Sequence, residues 1–204
     1  MRGVEQIPWL YDAYMAVLDK TGLLLWRRWL AGGSRGRTLE IGCGTGRNLP
    51  LLAKRLPVVA VEPDLRLLAR ARRRASGAAL VAARAEALPL RNGSFDTVVS
   101  SLVFCSVSDP DRGLAEVARV LAPSGRLRMI EHVRSARPWL GRLQDLLQPC
   151  WTLISGGCHP NRDTEGAVRR AGFSIHSRGR RSRSSMRRFE ATPANGAGPR
   201  SGSS

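Results

Sequence analysis

The chain has 204 residues, 43% hydrophobic and 24% charged, with a formal charge of +17, enough for one α/β core and short for two. No run approaches the ~18 apolar residues of a membrane span, and Trp9 to Tyr14, interrupted by Asp12, lacks the form of a signal peptide, so a cytoplasmic setting is expected. The basic balance invites a nucleic-acid reading, but Lys20 and Lys54 are the only lysines; an arginine bias with few interleaved aromatics argues for solvated helix faces such as Arg66, Arg70, Arg72, Arg73 and Arg74, and against a base-stacking platform.

From the N-terminus, Trp9 to Leu30 reads as helical, with Tyr11, Tyr14, Met15 and Leu18 on one face. Residues 1–34 are therefore expected to form a helical lid. Thr38 to Ile41 is an apolar strand containing an acid, Glu40, and runs into Gly42-Cys43-Gly44-Thr45-Gly46. Glycines belong where a backbone turns tightly and lets a ligand approach closely. Arg47 to Arg55 is the first core helix, its Pro50 tolerated in the first turn, and Asn48 reads as a surface polar residue. Val58 to Val61 is a fully apolar run of the kind buried in a parallel sheet. Asp64 caps a helix with Leu65, Leu68 and Ala69 inward, ended by Gly77. Leu80 to Ala83 and Phe95 to Leu102 are further strands. Asp109-Pro110 opens a helix with Leu114, Val117, Ala118 and Leu121 in register. Leu127 to Glu131 is the fifth strand, Thr164 to Ala171 a helix behind an Asp163 cap, and Phe173 to Ser177 another strand. The alternation predicts a doubly wound, mostly parallel, Rossmann-like sheet of about seven strands with helices on both faces. Met186 to Ala191 is a weak last strand within an Arg/Ser-rich segment, so that strand is expected to be weak or missing. Residues 35–190 form the core, 134–159 a substrate-side insert, and 191–204 a Gly/Ser/Pro-rich disordered tail.

Glu62 selects the ligand. It stands at the tip of the second strand, twenty residues after Gly42, placed to accept hydrogen bonds from the vicinal hydroxyls of a ribose. The loop is not G-x-G-x-x-G and lacks the Lys-Ser/Thr pair of a phosphate loop. That disfavours a pyrophosphate and favours an adenosine bearing a small zwitterion, a description S-adenosylmethionine fits. E-I-G-C-G-T-G-R-N, V-E-P-D, A-E-A-L-P with S-F-D-T-V-V, and L-A-P-S-G resemble the successive motifs of class I S-adenosylmethionine-dependent methyltransferases with a type 11 domain. Leu102 to Val107 (L-V-F-C-S-V), Glu131 to Val133 (E-H-V) and Gly156 to Thr164 (G-G-C-H-P-N-R-D-T) are similar to methyltransferase-like proteins that include thiol S-methyltransferases.

The resemblance implies Glu40 near the methionine ammonium or orienting the loop, Gly42, Cys43, Gly44 and Gly46 as the floor of the cofactor site, Glu62 on the ribose, Pro63 on the adenine, and Ala85, Glu86 and Leu102 on the remaining walls. Where similar enzymes carry a polar acceptor before that alanine, this chain has Arg84. Methyl transfer from a sulfonium needs mainly alignment and exclusion of water, and a base only if the acceptor must lose a proton. His132 and His159 are the candidates for that role. The acceptor is expected to be a small apolar molecule or a thiol, held by Trp139, Leu140, Leu143, Leu146, Leu147, Trp151 and Ile154 of the insert. Rival readings are a quinone or phospholipid methyltransferase, a nucleic-acid methyltransferase, or a non-catalytic cofactor-binding protein. Ser101-Leu102-Val103-Phe104 is not the Asn-Pro-Pro-aromatic motif of amino-methylating DNA enzymes. Trp26 and Trp29 flanking Arg27 and Arg28 have the composition of a lipid interface, so peripheral membrane contact is a further expectation. Cys43, Cys105, Cys150 and Cys158 show no C-x-x-C spacing, so neither a metal site nor a disulfide framework is expected.

Overall fold

The computed structural model describes residues 7–54, 56–135, 137–155, 157–183 and 185–194. Residues 1–6 of the expected lid, Arg55, Gly156 and residues 195–204 of the expected tail lie outside them. Five strands run parallel: β1 (Thr38–Ile41), β2 (Val58–Val61), β3 (Ala79–Val81), β4 (Phe95–Ser101) and β5 (Leu121–His132). With β6 (Phe173–Ile175), β7 (Arg181–Arg183) and β8 (Met186–Pro193) they form one eight-stranded sheet. Its order is β3-β2-β1-β4-β5-β8-β6, with β7 paired to β8. The order reverses between β1 and β4, and in such sheets ligands bind beyond the strand carboxyl ends at that reversal.

Alternation along each strand sends neighbouring side chains to opposite faces. Leu39, Ile41, Val98 and Met129 pack one way, against Leu114, Val117 and Val120 of α5 (Pro110–Val120) and Val168 of α7 (Thr164–Arg170). Ala60, Val99 and Ile130 pack the other way, against the N-terminal helices α1 (Pro8–Leu18) and α2 (Leu24–Gly32) through Met15, Leu23 and Leu30. Burial on both faces explains why the core strands read as continuous apolar runs rather than alternating ones.

The structure departs from the expected elements at several points. The first core helix is a single turn, α3 (Leu49–Leu52), whose N-terminal bonds run from the Leu51 and Leu52 N–H groups to the Asn48 carbonyl. Helix α4 (Leu65–Ala71) is capped by Asp64 as expected, but Leu65 and Ala69 face outward, and Ala71 is the residue it buries. The last strand is neither weak nor missing: β8 pairs antiparallel with β5 from Leu127↔Ala191 to His132↔Met186 and extends past residue 191. Its arginines find partners far away in the chain. Arg188 lies 4.8 Å from the Trp29 ring centroid and Arg187 is 3.2 Å from Glu165, while Phe189 and Ala191 are fully buried. The insert forms one long helix, α6 (Pro138–Ser155).

Candidate functional site

The loop after β1 is shaped by positions that cannot carry a side chain. Gly42 has φ +61, and a Cβ there would lie 2.6 Å from the Val103 side chain; at Gly46, with φ +80, it would lie 3.0 Å from the Ala71 backbone. Either substitution forces both strain and a clash. The loop is closed by Gly46 N–H donating to the Cys43 carbonyl and Cys43 N–H donating to the Val61 carbonyl, which ties β1 to β2. Glu62 then bridges it: one carboxylate oxygen accepts from Gly44 N–H and the other from Asp64 N–H, each at 3.0 Å. Burial raises its pKa and the two backbone donors pull it back. Each oxygen retains a free lone pair for a further donor.

A cleft of about 400 Å³ opens at this end of the sheet, lined by Gly42, Gly44, Glu62, Pro63, Ala85, Glu86 and Leu102 together with Tyr11, Arg84 and Val103. The expected cofactor residues thus converge on one concavity, except that Glu40, Cys43 and Gly46 are not part of its wall. Cys43 is buried, which raises its thiol pKa. Leu102 holds φ +61 and donates its N–H to the Ile130 carbonyl at 2.7 Å. A non-glycine residue in that region costs of order 1–3 kcal/mol and persists where a site requires it. Glu86 accepts from Asp109 N–H at 3.4 Å, fixing the loop after β3 to the cap of α5.

Glu40 is 1% exposed. Its Oε1 accepts from Asn48 Nδ2 at 2.7 Å; Asn48 Oδ1 accepts from Arg27 at 2.7 Å; and Arg27 Nε donates to Asp19 at 3.0 Å. Asn48 is therefore a buried bridge rather than a surface residue. Arg27 was missed as a site residue, since nothing adjacent to it in sequence marks a contact made twenty-one residues away. The other carboxylate oxygen of Glu40 is buried with no hydrogen-bond partner among the described residues. Burial pushes its pKa up to about 7, against the lowering contributions of Asn48 and Arg27. A buried acceptor left open is costly unless a ligand donates to it, and a cationic amine fits that need. The orphan oxygen and the Glu62 carboxylate together suit the two polar ends of S-adenosylmethionine.

A second cavity, about 490 Å³, lies between α1, the turn after it, α6 and the β7–β8 hairpin. Tyr14, Leu18, Trp26, Leu140, Leu143, Leu147, Trp151 and Met186 give it an apolar wall, on which His132 also stands. Helix α1 contributes Tyr11 to the cleft and Tyr14 and Leu18 to this cavity. Trp139, Leu146 and Ile154 of the insert instead face outward. His159 lines neither cavity; its ring nitrogen meets the Gly157 carbonyl at 2.8 Å and its N–H donates to the Cys105 carbonyl. Cys158 Sγ lies 3.5 Å from His132 Nδ1, and hydrogen bonding from Cys105 and then His132 holds the Cys158 thiol well below the ordinary thiol range despite its burial. In the segment with the composition of a lipid interface, Arg27 is buried and Arg128 stacks 4.0 Å from the Trp29 centroid, whereas Arg28 is exposed. Among the described residues no helix is long and apolar enough to cross a membrane.

Residues 39–129 match a family described as a methyltransferase domain. The chain is 35% identical over 144 residues to the human thiol S-methyltransferase TMT1A, an overlap covering 67% of this chain and 59% of that protein. It is 34% identical over 103 residues to a phosphatidylethanolamine N-methyltransferase of Cereibacter sphaeroides, covering 48% of this chain and 51% of the relative. The chain thus spans about three fifths or less of the length of these relatives. Among solved structures, a SAM-dependent methyltransferase from Thermotoga maritima superposes with a TM-score of 0.71 at 22% identity, over 92% of this chain and 96% of the other. Residues 39–129 thus match a methyltransferase domain, and the glycine loop and sheet order around them are those of a Rossmann-like methyltransferase fold.

Proposed function

We propose that the protein transfers the methyl group of S-adenosylmethionine to a thiol or another small apolar acceptor seated in the 490 Å³ cavity. The observation that carries this reading is that two unlike spaces share α1 as a wall: a carboxylate-bearing cleft and an apolar cavity with an imidazole on its wall. When bound, the cofactor supplies an electrophilic methyl group on a sulfonium. Glu62 would hold the ribose hydroxyls and the open oxygen of Glu40 the ammonium, while Pro63 and Leu102 would flank the nucleoside. The described part of the expected lid, α1 and α2, closes over the site in this reading, because α1 walls both spaces. The apolar lining excludes water, which strengthens alignment and suppresses hydrolysis. A thiol of pKa ~8.5 is partly ionised at neutral pH, so little base assistance is needed, and His132 is the wall residue able to take up the proton. A cytoplasmic, reducing setting agrees with four cysteines that are all free thiols.

Phospholipid head-group N-methylation is the second reading. It is favoured by the Cereibacter relative and by the outward apolar residues of α6, which would also serve peripheral membrane contact. An acceptor panel of alkyl thiols, quinones, phosphatidylethanolamine vesicles and RNA, incubated with methyl-labelled cofactor, decides between them. Label on the thiols is the expected result. Label confined to lipid, quinone or RNA would overturn it.

A further inference from the structure

We propose that Cys105, His132 and Cys158 form a binding site for a soft divalent cation of the zinc type. The three residues come from separate segments: the loop after β4, the carboxyl end of β5, and the loop after α6. No local spacing joins them, yet the fold brings Sγ of Cys105, a ring nitrogen of His132 and Sγ of Cys158 to within 4.8 Å of one another. The geometry fits a tetrahedral ion. With metal–sulfur and metal–nitrogen bonds of ~2.3 and ~2.0–2.1 Å, the sulfur–nitrogen edge of the tetrahedron is about 3.6 Å and the sulfur–sulfur edge about 3.8 Å. Cys158 Sγ and His132 Nδ1 are already 3.5 Å apart. An ion at the centre needs only a contraction of the Cys105 side, about 1 Å at most.

Ligand chemistry narrows the ion. Two thiols and an imidazole select zinc-like cations and disfavour magnesium or calcium, which require oxygen ligands. Two thiolates also neutralise a divalent charge inside a region where both cysteines are 1% exposed. The backbone around the ligands is held in place before any ion arrives. His159 N–H donates to the Cys105 carbonyl at 2.8 Å, Cys158 N–H donates to Ser155 Oγ at 3.1 Å, and Thr152 Oγ1 donates to the Cys158 carbonyl at 3.0 Å. Such outer contacts orient first ligands and support affinity. His132 also lines the larger cavity, so the fourth position is reached from that side, the pattern of an open site rather than a closed structural one. One consequence rests on the methyl-transfer reading, although the site itself does not. With the ion on Nδ1, His132 no longer takes the proton of a thiol acceptor; a thiol filling the fourth position would release it to solvent on coordination.

The test is metal content, independent of activity. The full chain, purified under reductant and loaded with one equivalent of zinc or cobalt, is passed over a desalting column and assayed by elemental mass spectrometry and absorption. We expect about one equivalent retained, and a thiolate-to-cobalt charge-transfer band with the intense visible bands of a tetrahedral ion. Cys158→Ser and Cys105→Ser should each lower retention at least tenfold, while Cys150→Ser, altering an exposed cysteine outside the cluster, should retain the wild-type equivalent. Folded wild-type protein that keeps less than a tenth of an equivalent and gives no cobalt band overturns the proposal. So does equal retention by Cys158→Ser, and so does a Cys105–Cys158 disulfide in the reduced preparation. Because the wild-type measurement decides by itself, misfolding of a variant does not shelter the claim.

Discussion

Glu62 does two jobs with one carboxylate, and that determines how its loss is read. It fastens Gly44 and Asp64 through their N–H groups, and in the proposed complex it also receives the ribose. Glu62→Ala removes a buried acceptor from these donors, so cofactor affinity should fall by roughly 1–3 kcal/mol, measured by titration calorimetry; an unchanged dissociation constant would refute the ribose assignment. Glu40 gives a prediction in pH. Its folded pKa of about 7 lies above the ordinary carboxyl value of 4.5. The folded state therefore holds a proton that the unfolded state has lost, and its contribution to ligand-free stability declines as pH rises from about 4.5 to about 7. Binding of an ammonium moves the opposite way, because ionised Glu40 is the form that pairs with it. Between pH 6 and 7.5, below the ordinary α-amino pKa of ~7.7–8.0, cofactor affinity should rise by up to about tenfold per pH unit. Glu62 titrates in the same sense, so Glu40→Gln is the control: it should flatten most of the slope, and a slope it leaves intact excludes Glu40 as the source.

At the scale of elements, α2 belongs to the site through Arg27, and its stability should reveal it. Arg27 joins Asp19, Asn48 and Ser101, while neighbouring Arg28 is exposed. Removing one member of a buried charged network leaves the others unsatisfied, so Arg27→Ala should cost about 3 kcal/mol in urea unfolding. Arg28→Ala should stay within about 0.5 kcal/mol; equal effects would mean that Arg27 is merely packed. This contrast also marks what was legible beforehand. The parallel core, the glycine loop, Glu62 and the caps at Asp64, Asp109 and Asp163 were readable because each depends on residues close in sequence. The β7–β8 hairpin was not, because a strand rich in arginine looks solvated until Trp26, Trp29 and Glu165 supply its partners. Asn48 and the Cys105–His132–Cys158 cluster were hidden for the same reason: their chemistry lies in contacts between distant segments.

The whole molecule must fold with 33 basic residues against 16 acidic ones. Several acids are shared among arginines, while others, such as Asp64 with Arg66 and Glu116 with Arg119, pair one to one. Asp12 serves Arg47, Arg70 and Arg74; Glu165 serves Arg169, Arg180 and Arg187; Glu190 serves Arg126 and Arg128. Arg70 and Arg74, which read as solvated, thus meet Asp12 of α1, whereas Arg72 and Arg73 remain exposed. Close, half-buried contacts of this kind are screened little by salt, whereas repulsion among exposed arginines acts over distances comparable with the ~8 Å Debye length at 0.15 M. Added salt should therefore weaken the unfavourable part of the balance more than the favourable part. Raising sodium chloride from 20 to 300 mM should increase Tm by about 2–4 °C, equivalent to roughly 1 kcal/mol for a chain of this size. Scanning calorimetry without cofactor provides the measurement. A Tm that falls with salt would mean that the shared-acid contacts outweigh the repulsion, and that the excess positive charge is held in attractive networks instead of being carried as strain.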